Sequence, residues 1–123
     1  MKFLNFALIF CTIAICGEYC IQPSFAGESR AISLYKNVGS RQCEGPLATK
    51  VGLQKEIELL KKAGVHVESA QCGNDSNMYP AVCGGPTGEI WLISVKPESV
   101  TLAKSAGYKV VQGQPVQAQK CRQ

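Results

Sequence analysis

The sequence holds one His (His66), one Asp (Asp75) and one Trp (Trp91), and no Phe beyond Phe25. With a single imidazole and a single Asp there is no catalytic triad to assemble. The remaining carboxylates, Glu44, Glu68 and Glu89 among them, are scattered. The chain is therefore read as no enzyme, with no cofactor. A glycine-rich nucleotide fingerprint and a zinc-ligand spacing are both missing. So is the Cys-x-x-Cys spacing of dithiol oxidoreductases. At 123 residues the chain is too short for an α/β barrel or a two-domain enzyme. Its 13 Lys and Arg against 9 Asp and Glu leave a mild net charge of +4. The basic residues are spread out and not interleaved with aromatics, which argues against a nucleic-acid partner.

What is present begins with an export segment. Lys2 is a minimal positive start, and Phe3 to Cys16 is an apolar run broken only by Asn5 and Thr12. This suits the core of a signal peptide and falls short of the ~20 apolar residues a membrane span needs. Pro23 breaks any helix before Ser24, Phe25 and Ala26, with small residues three and one before a cut at Gly27. Residues 1–26 are thus read as a cleavable signal peptide, with no stable membrane insertion afterwards. The rival readings are an uncleaved anchor and a lipid-modified Cys16, the latter disfavoured by the bulky Ile15. Of the 7 Cys, cleavage leaves Cys43, Cys72, Cys83 and Cys121. In the oxidising periplasmic or secreted compartment an even set is read as two disulfides.

Beyond residue 26 short elements alternate. Ala31 to Tyr35 reads as a strand. A helix ends at Gly64, with Leu53, Ile57 and Leu60 as its buried stripe. Val65 to Ser69 reads as a second strand and Gln71 to Gly88 as a long loop. Glu89 to Val95 is the strongest strand, Pro97 opens a second helix, and Tyr108 to Val111 is a fourth strand. Ala63-Gly64-Val65 and Ala106-Gly107-Tyr108 repeat one helix-to-strand junction, 43 residues apart. The order βαβ–βαβ is that of an α+β ferredoxin-like two-layer sandwich over residues 27–111. Right-handed crossovers set an antiparallel sheet of order 4-1-3-2. An irregular α+β fold is the rival. Residues 112–123 form a tail, expected to be tied back by Cys121.

Four Cys allow three pairings. In the expected fold Cys43 follows strand 1 and Cys83 precedes strand 3, at the same end of neighbouring strands. That favours Cys43 with Cys83, which leaves Cys72 for Cys121. The runner-up joins Cys72 to Cys83 and Cys43 to Cys121. Strand 3 is apolar on both faces, with Trp91, Ile93 and Val95 on one and Ile90 and Leu92 on the other. Helices cover only one face, so the second must meet the tail, a second copy or a partner.

The strings Ser40-Arg41-Gln42-Cys43-Glu44-Gly45 and Met78-Tyr79-Pro80-Ala81-Val82-Cys83-Gly84-Gly85-Pro86-Thr87-Gly88 carry a resemblance, with Cys72-Gly73-Asn74-Asp75 between them. Over roughly Tyr35 to Tyr108 the chain resembles small exported bacterial proteins of uncharacterised function. The resemblance implies a periplasmic or secreted protein and no particular activity.

The functional expectation is a protein- or peptide-binding or self-associating envelope module. Its contacts are placed at Met78, Tyr79, Ile90 and Leu92, on the long loop and the second sheet face. The alternative is a redox-active or metal-handling protein using Cys72 and Cys83. Asp75, between Asn74 and Ser76, reads as a turn residue rather than an acid. His66 reads as an exposed strand residue rather than a ligand. Asn74-Asp75-Ser76 is a glycosylation sequon in form, discounted because the resemblance is bacterial.

Overall fold

The computed structural model describes residues 30–123. The export segment and its cleavage lie outside the described residues. Five strands and two helices follow: β1 (Ile32–Asn37), α1 (Lys50–Lys62), β2 (Val67–Asn74), β3 (Glu89–Val95), α2 (Val100–Ser105), β4 (Lys109–Val110) and β5 (Gln117–Gln119). A single 3₁₀ turn, Pro97–Ser99, leads into α2. The strands form one sheet of order β4-β1-β3-β2-β5, antiparallel at every pairing. The class is α+β.

Register follows from the apolar alternation. Leu34 lies opposite Ile93, and Cys72 opposite Trp91. With Val95 they form the inner face of the sheet, packed with Leu53 and Leu60 of α1 and Ala103 of α2. Helix α1 begins at Thr49, whose hydroxyl accepts the Gly52 N–H at 3.1 Å. Gly52 then lets the helix approach the sheet. A Cβ there would lie 2.8 Å from the Leu47 carbonyl oxygen and 3.1 Å from the Trp91 ring.

The repeated junction is one motif used twice. The N–H of Val65 donates to the Leu60 carbonyl, and that of Gly64 to Lys61. Likewise Tyr108 donates to Ala103, and Gly107 to Lys104. Both are Schellman caps, in which a left-handed residue satisfies the last helical carbonyls. The φ angles of +82° at Gly64 and +92° at Gly107 are the reason for glycine. Each cap brings a buried pair together, Val65 with Leu60 and Tyr108 with Ala103.

Strand β1 runs on to Asn37 and β4 is only Lys109–Val110, but the larger departures from expectation are at the two ends of β2. Strand β2 starts at Val67, two residues late, because Val65 is used in the cap and the His66 N–H donates to the Ser99 hydroxyl. It then runs to Asn74, into the stretch expected to be loop. The cause is β5, which the reading of the tail did not contain. Gln117, Ala118 and Gln119 pair with Asn74, Gly73 and Cys72. All three are exposed, so no apolar alternation announces the strand.

Strands β4 and β5 lie on opposite edges, so residues 111–116 must cross the sheet. They cross the outer face, where Tyr35 shares a cavity wall with Gln114, Pro115 and Val116. Gly73 permits this approach, since a Cβ there would meet the Gln117 carbonyl at 2.7 Å and Ile90 at 3.2 Å. Cys121 is bonded to Cys72, and Cys43 to Cys83. This is the pairing that the strand order favours.

Candidate functional site

The loop between β2 and β3 is built together with the loop after β1. The Cys43–Cys83 bridge joins them, and backbone bonds flank it. The Gln42 N–H donates to the Gly85 carbonyl at 2.8 Å, and the Gly84 N–H to the Gln42 carbonyl at 2.9 Å. Side chains add to this. Arg41 Nη1 donates to the Gly84 carbonyl at 2.8 Å, and Gln42 Nε2 to the Pro80 carbonyl at 2.8 Å. The Ser40 and Thr87 hydroxyls bond to each other. The Ser40-Arg41-Gln42 and Gly84-Gly85-Pro86-Thr87 strings are therefore two halves of one clasp.

The expected contact residues take different positions. Met78 stands out from the loop, 98 % exposed, and Val82 nearby is 55 % exposed. Tyr79 turns back. Its hydroxyl donates to Asp75 Oδ2 at 2.5 Å, while Asp75 Oδ1 accepts the Asn77 N–H at 3.0 Å. The hydrogen bond to Asp75 raises the Tyr79 phenol above its ordinary pKa. Asp75 is thus a turn residue that also anchors Tyr79. Ile90 is a correction. It was expected as a contact, yet it is fully buried, because the crossing tail and Gly73 close over it. Leu92, opposite Tyr35 and Gln71 on the same face, is half-buried.

Cys72 and Cys83 are not brought together, since each is bonded to another cysteine. Among the described residues no group of three His, Cys, Asp or Glu is placed to hold a metal, and no helix is long and apolar enough to cross a membrane. His66 is exposed, and its backbone rather than its ring is engaged. Asn74 uses its side chain internally, accepting the Ser76 N–H at 2.7 Å and donating to the Thr87 carbonyl.

One residue escaped the sequence reading. Glu89 opens β3 on its inner face and is only 8 % exposed. Its side chain lines a cavity of about 230 Å³ beside the clasp, with Ser40, Thr87, Glu44 and Arg122. A glutamate heading a strand that is otherwise apolar on both faces was the available signal. No protein-family model matches the chain, and no curated protein or solved structure matches it.

Proposed function

We propose that the chain is a small exported module of the ferredoxin-like sandwich class that binds a protein or peptide partner through its disulfide-pinned double loop. Two disulfides, and no membrane-spanning helix among the described residues, are compatible with export. The βαββαβ order with a sheet of 4-1-3-2, extended by β5, supports the fold assignment. The observation that carries the binding reading is Met78. It is a large, adaptable apolar side chain held almost wholly in solvent by a loop that is otherwise tightly hydrogen-bonded. A long loop closed by a disulfide and anchored through Tyr79 and Gln42 is preorganised, which lowers the entropy cost of docking.

The covered outer face moves the expected contacts away from Ile90 and onto Met78 and Val82. A photo-crosslinking residue at position 78 tests this in the full chain, with the same residue at Glu58 on α1 as the control. A discrete adduct from position 78, absent from position 58 and lost in Val82→Asp, is the expected result. No adduct, or the same products from both positions, overturns the reading.

A further inference from the structure

Dispersed along the sequence, the lysines gather in the fold. Helices α1 and α2 turn Leu53, Leu60 and Ala103 to the sheet and their other faces to solvent. The solvent faces carry Lys50, Lys55, Lys61, Lys62 and Lys104, all exposed, against one exposed acid, Glu58. Glu56 is turned inward, where Lys36 Nζ holds it at 2.8 Å. None of the five lysines forms an ion pair among the described residues. Over the rest of residues 30–123, with the Lys36–Glu56 pair set aside, six Lys and Arg stand against five Asp and Glu. Two leucines sit among these lysines, Leu59 at 59 % exposure and Leu102 at 44 %. The repeated cap accounts for their neighbours but not for them. In Leu59-Leu60-Lys61 and Leu102-Ala103-Lys104 the middle residue is buried and its carbonyl accepts the cap bond, while the flanking Leu and Lys are exposed. The two leucines turn toward each other's helix. Glu56, one turn before Leu59 on the same flank of α1, accepts the Tyr108 hydroxyl at 3.1 Å just beyond α2. Leu102 lies over the α1 cap, where a Cβ on Gly64 would meet its Cδ1 at 3.6 Å. Lys55 and Lys62, at i−4 and i+3, border Leu59 on α1.

We propose that the helix layer is a docking face for an anionic lipid membrane, with Leu59 and Leu102 entering the headgroup layer and Lys55, Lys61, Lys62 and Lys104 meeting lipid phosphates. Charge complementarity selects the occupant. A second copy would set the same lysines against each other. Protein interfaces are rich in aromatic residues, Met and Arg and poor in Lys. This face has lysine throughout and no exposed aromatic residue or Arg. A nucleic acid would engage the lysines but offers the leucines no hydrocarbon. A lipid surface uses both, because lysine stems lie along apolar groups while their ammoniums reach the phosphates. The attachment is peripheral, resting on the surface without spanning it. The clasp precedes α1, and Leu59 stands about 15 Å along the helix from its Thr49 cap. A docked chain therefore keeps Met78 free, and the inference holds whether or not Met78 contacts a partner.

Co-sedimentation with vesicles tests this on the chain from Gly27, which contains every described element and both disulfides. Vesicles of equal parts phosphatidylglycerol and phosphatidylcholine should bind it, and phosphatidylcholine alone should not. Each lysine at an anionic surface changes partition about fivefold, so Lys55→Gln/Lys62→Gln should weaken binding about twentyfold. Lys109→Gln/Lys120→Gln removes the same charge from outside the helix layer. It should weaken binding by no more than about threefold, since only screened long-range attraction is lost. Leu59→Ser/Leu102→Ser should weaken binding about tenfold through lost apolar burial. Both leucines stand in solvent, so this variant should keep its fold, which circular dichroism checks. Met78→Ser should bind like the unaltered chain. No preference for phosphatidylglycerol, or equal losses from the two lysine pairs, overturns the proposal. Unchanged binding after Leu59→Ser/Leu102→Ser leaves only a general polyanion surface and also overturns it. A loss with Met78→Ser does the same, because it places the lipid contact at the clasp.

Discussion

Removing the two disulfides separately should have unequal consequences, although chain entropy alone makes them nearly equal. The bridges close sequence separations of 40 residues (Cys43–Cys83) and 49 residues (Cys72–Cys121). Loop-closure entropy assigns each about 4 kcal/mol, with a difference of only about 0.2 kcal/mol in favour of the longer loop. The folded state separates them further. After Cys43→Ala/Cys83→Ala the clasp retains its backbone bonds and those from Arg41 and Gln42. After Cys72→Ala/Cys121→Ala a buried side chain is lost from the core, and the tail loses its covalent hold. Ile90, now fully buried, becomes exposed whenever the tail lifts. Burying an isoleucine side chain is worth about 1.5–3 kcal/mol. The second variant should therefore be less stable than the first by about 2 kcal/mol, a large step against a typical total of about 5–15 kcal/mol. Urea unfolding of both variants measures this, and carboxypeptidase digestion should shorten only the second. Equal losses of stability, or a greater loss for Cys43→Ala/Cys83→Ala, would refute the reasoning.

Three further outcomes are expected. Gly52→Ala, which in an ordinary helix gains close to 1 kcal/mol, should instead lower the unfolding midpoint, because the new Cβ meets the Leu47 carbonyl at 2.8 Å. Gly64→Ala and Gly107→Ala should each cost about 1 kcal/mol in denaturant melts, since both require positive φ; an unchanged melt at either site would contradict the cap assignment. Tyr108 is buried beside Glu56, and desolvation first, then that carboxylate, raises its phenol far above the ordinary 10.0. The unfolded phenol ionises near pH 10 while the folded one stays neutral. Its contribution is thus complete below pH 10 and declines above it, by about 1.4 kcal/mol per pH unit. Tyr108→Phe should flatten that alkaline decline in a pH series of melts, and an unaltered slope would show that Tyr108 is not its source.

Much of the architecture was legible because it is written in short-range chemistry. Glycines after two helices, a stripe of Leu53, Ile57 and Leu60, and the dense apolar run from Ile90 to Val95 each specify local geometry independently. Their order leaves few ways to arrange four strands. That arrangement in turn sets Cys43 beside Cys83. Strand β5 was illegible for the opposite reason. Gln117, Ala118 and Gln119 bury nothing, and pair only because Cys121 and the glycine at 73 bring a polar backbone to an unfilled edge. The misplacement of Ile90 follows from it, since a face is open only until something crosses it. Met78 was recognisable as an apolar residue stranded among Gly, Pro and Asn. Glu89 stood out only as a carboxylate heading an apolar run; its burial beside the clasp was not legible, because that depends on its three-dimensional surroundings.

The crossing tail also bears on how the chain is completed. Cys121 follows every helix and strand among the described residues, so its bond to Cys72 cannot form until the chain has been made beyond β5. In a chain that emerges N-terminus first, the other three cysteines of the described residues, Cys43, Cys72 and Cys83, arrive earlier. Any early bond leaves one thiol over. Closing Cys43 with Cys83 leaves Cys72 as the waiting partner, at the rim where β5 later docks. The other two choices strand a thiol in the clasp and require thiol–disulfide exchange to undo. The segment from Gln112 to Cys121 is thus a final stitch, and a chain that stops before Cys121 would keep both helices and the four main strands yet carry an unpaired Cys72.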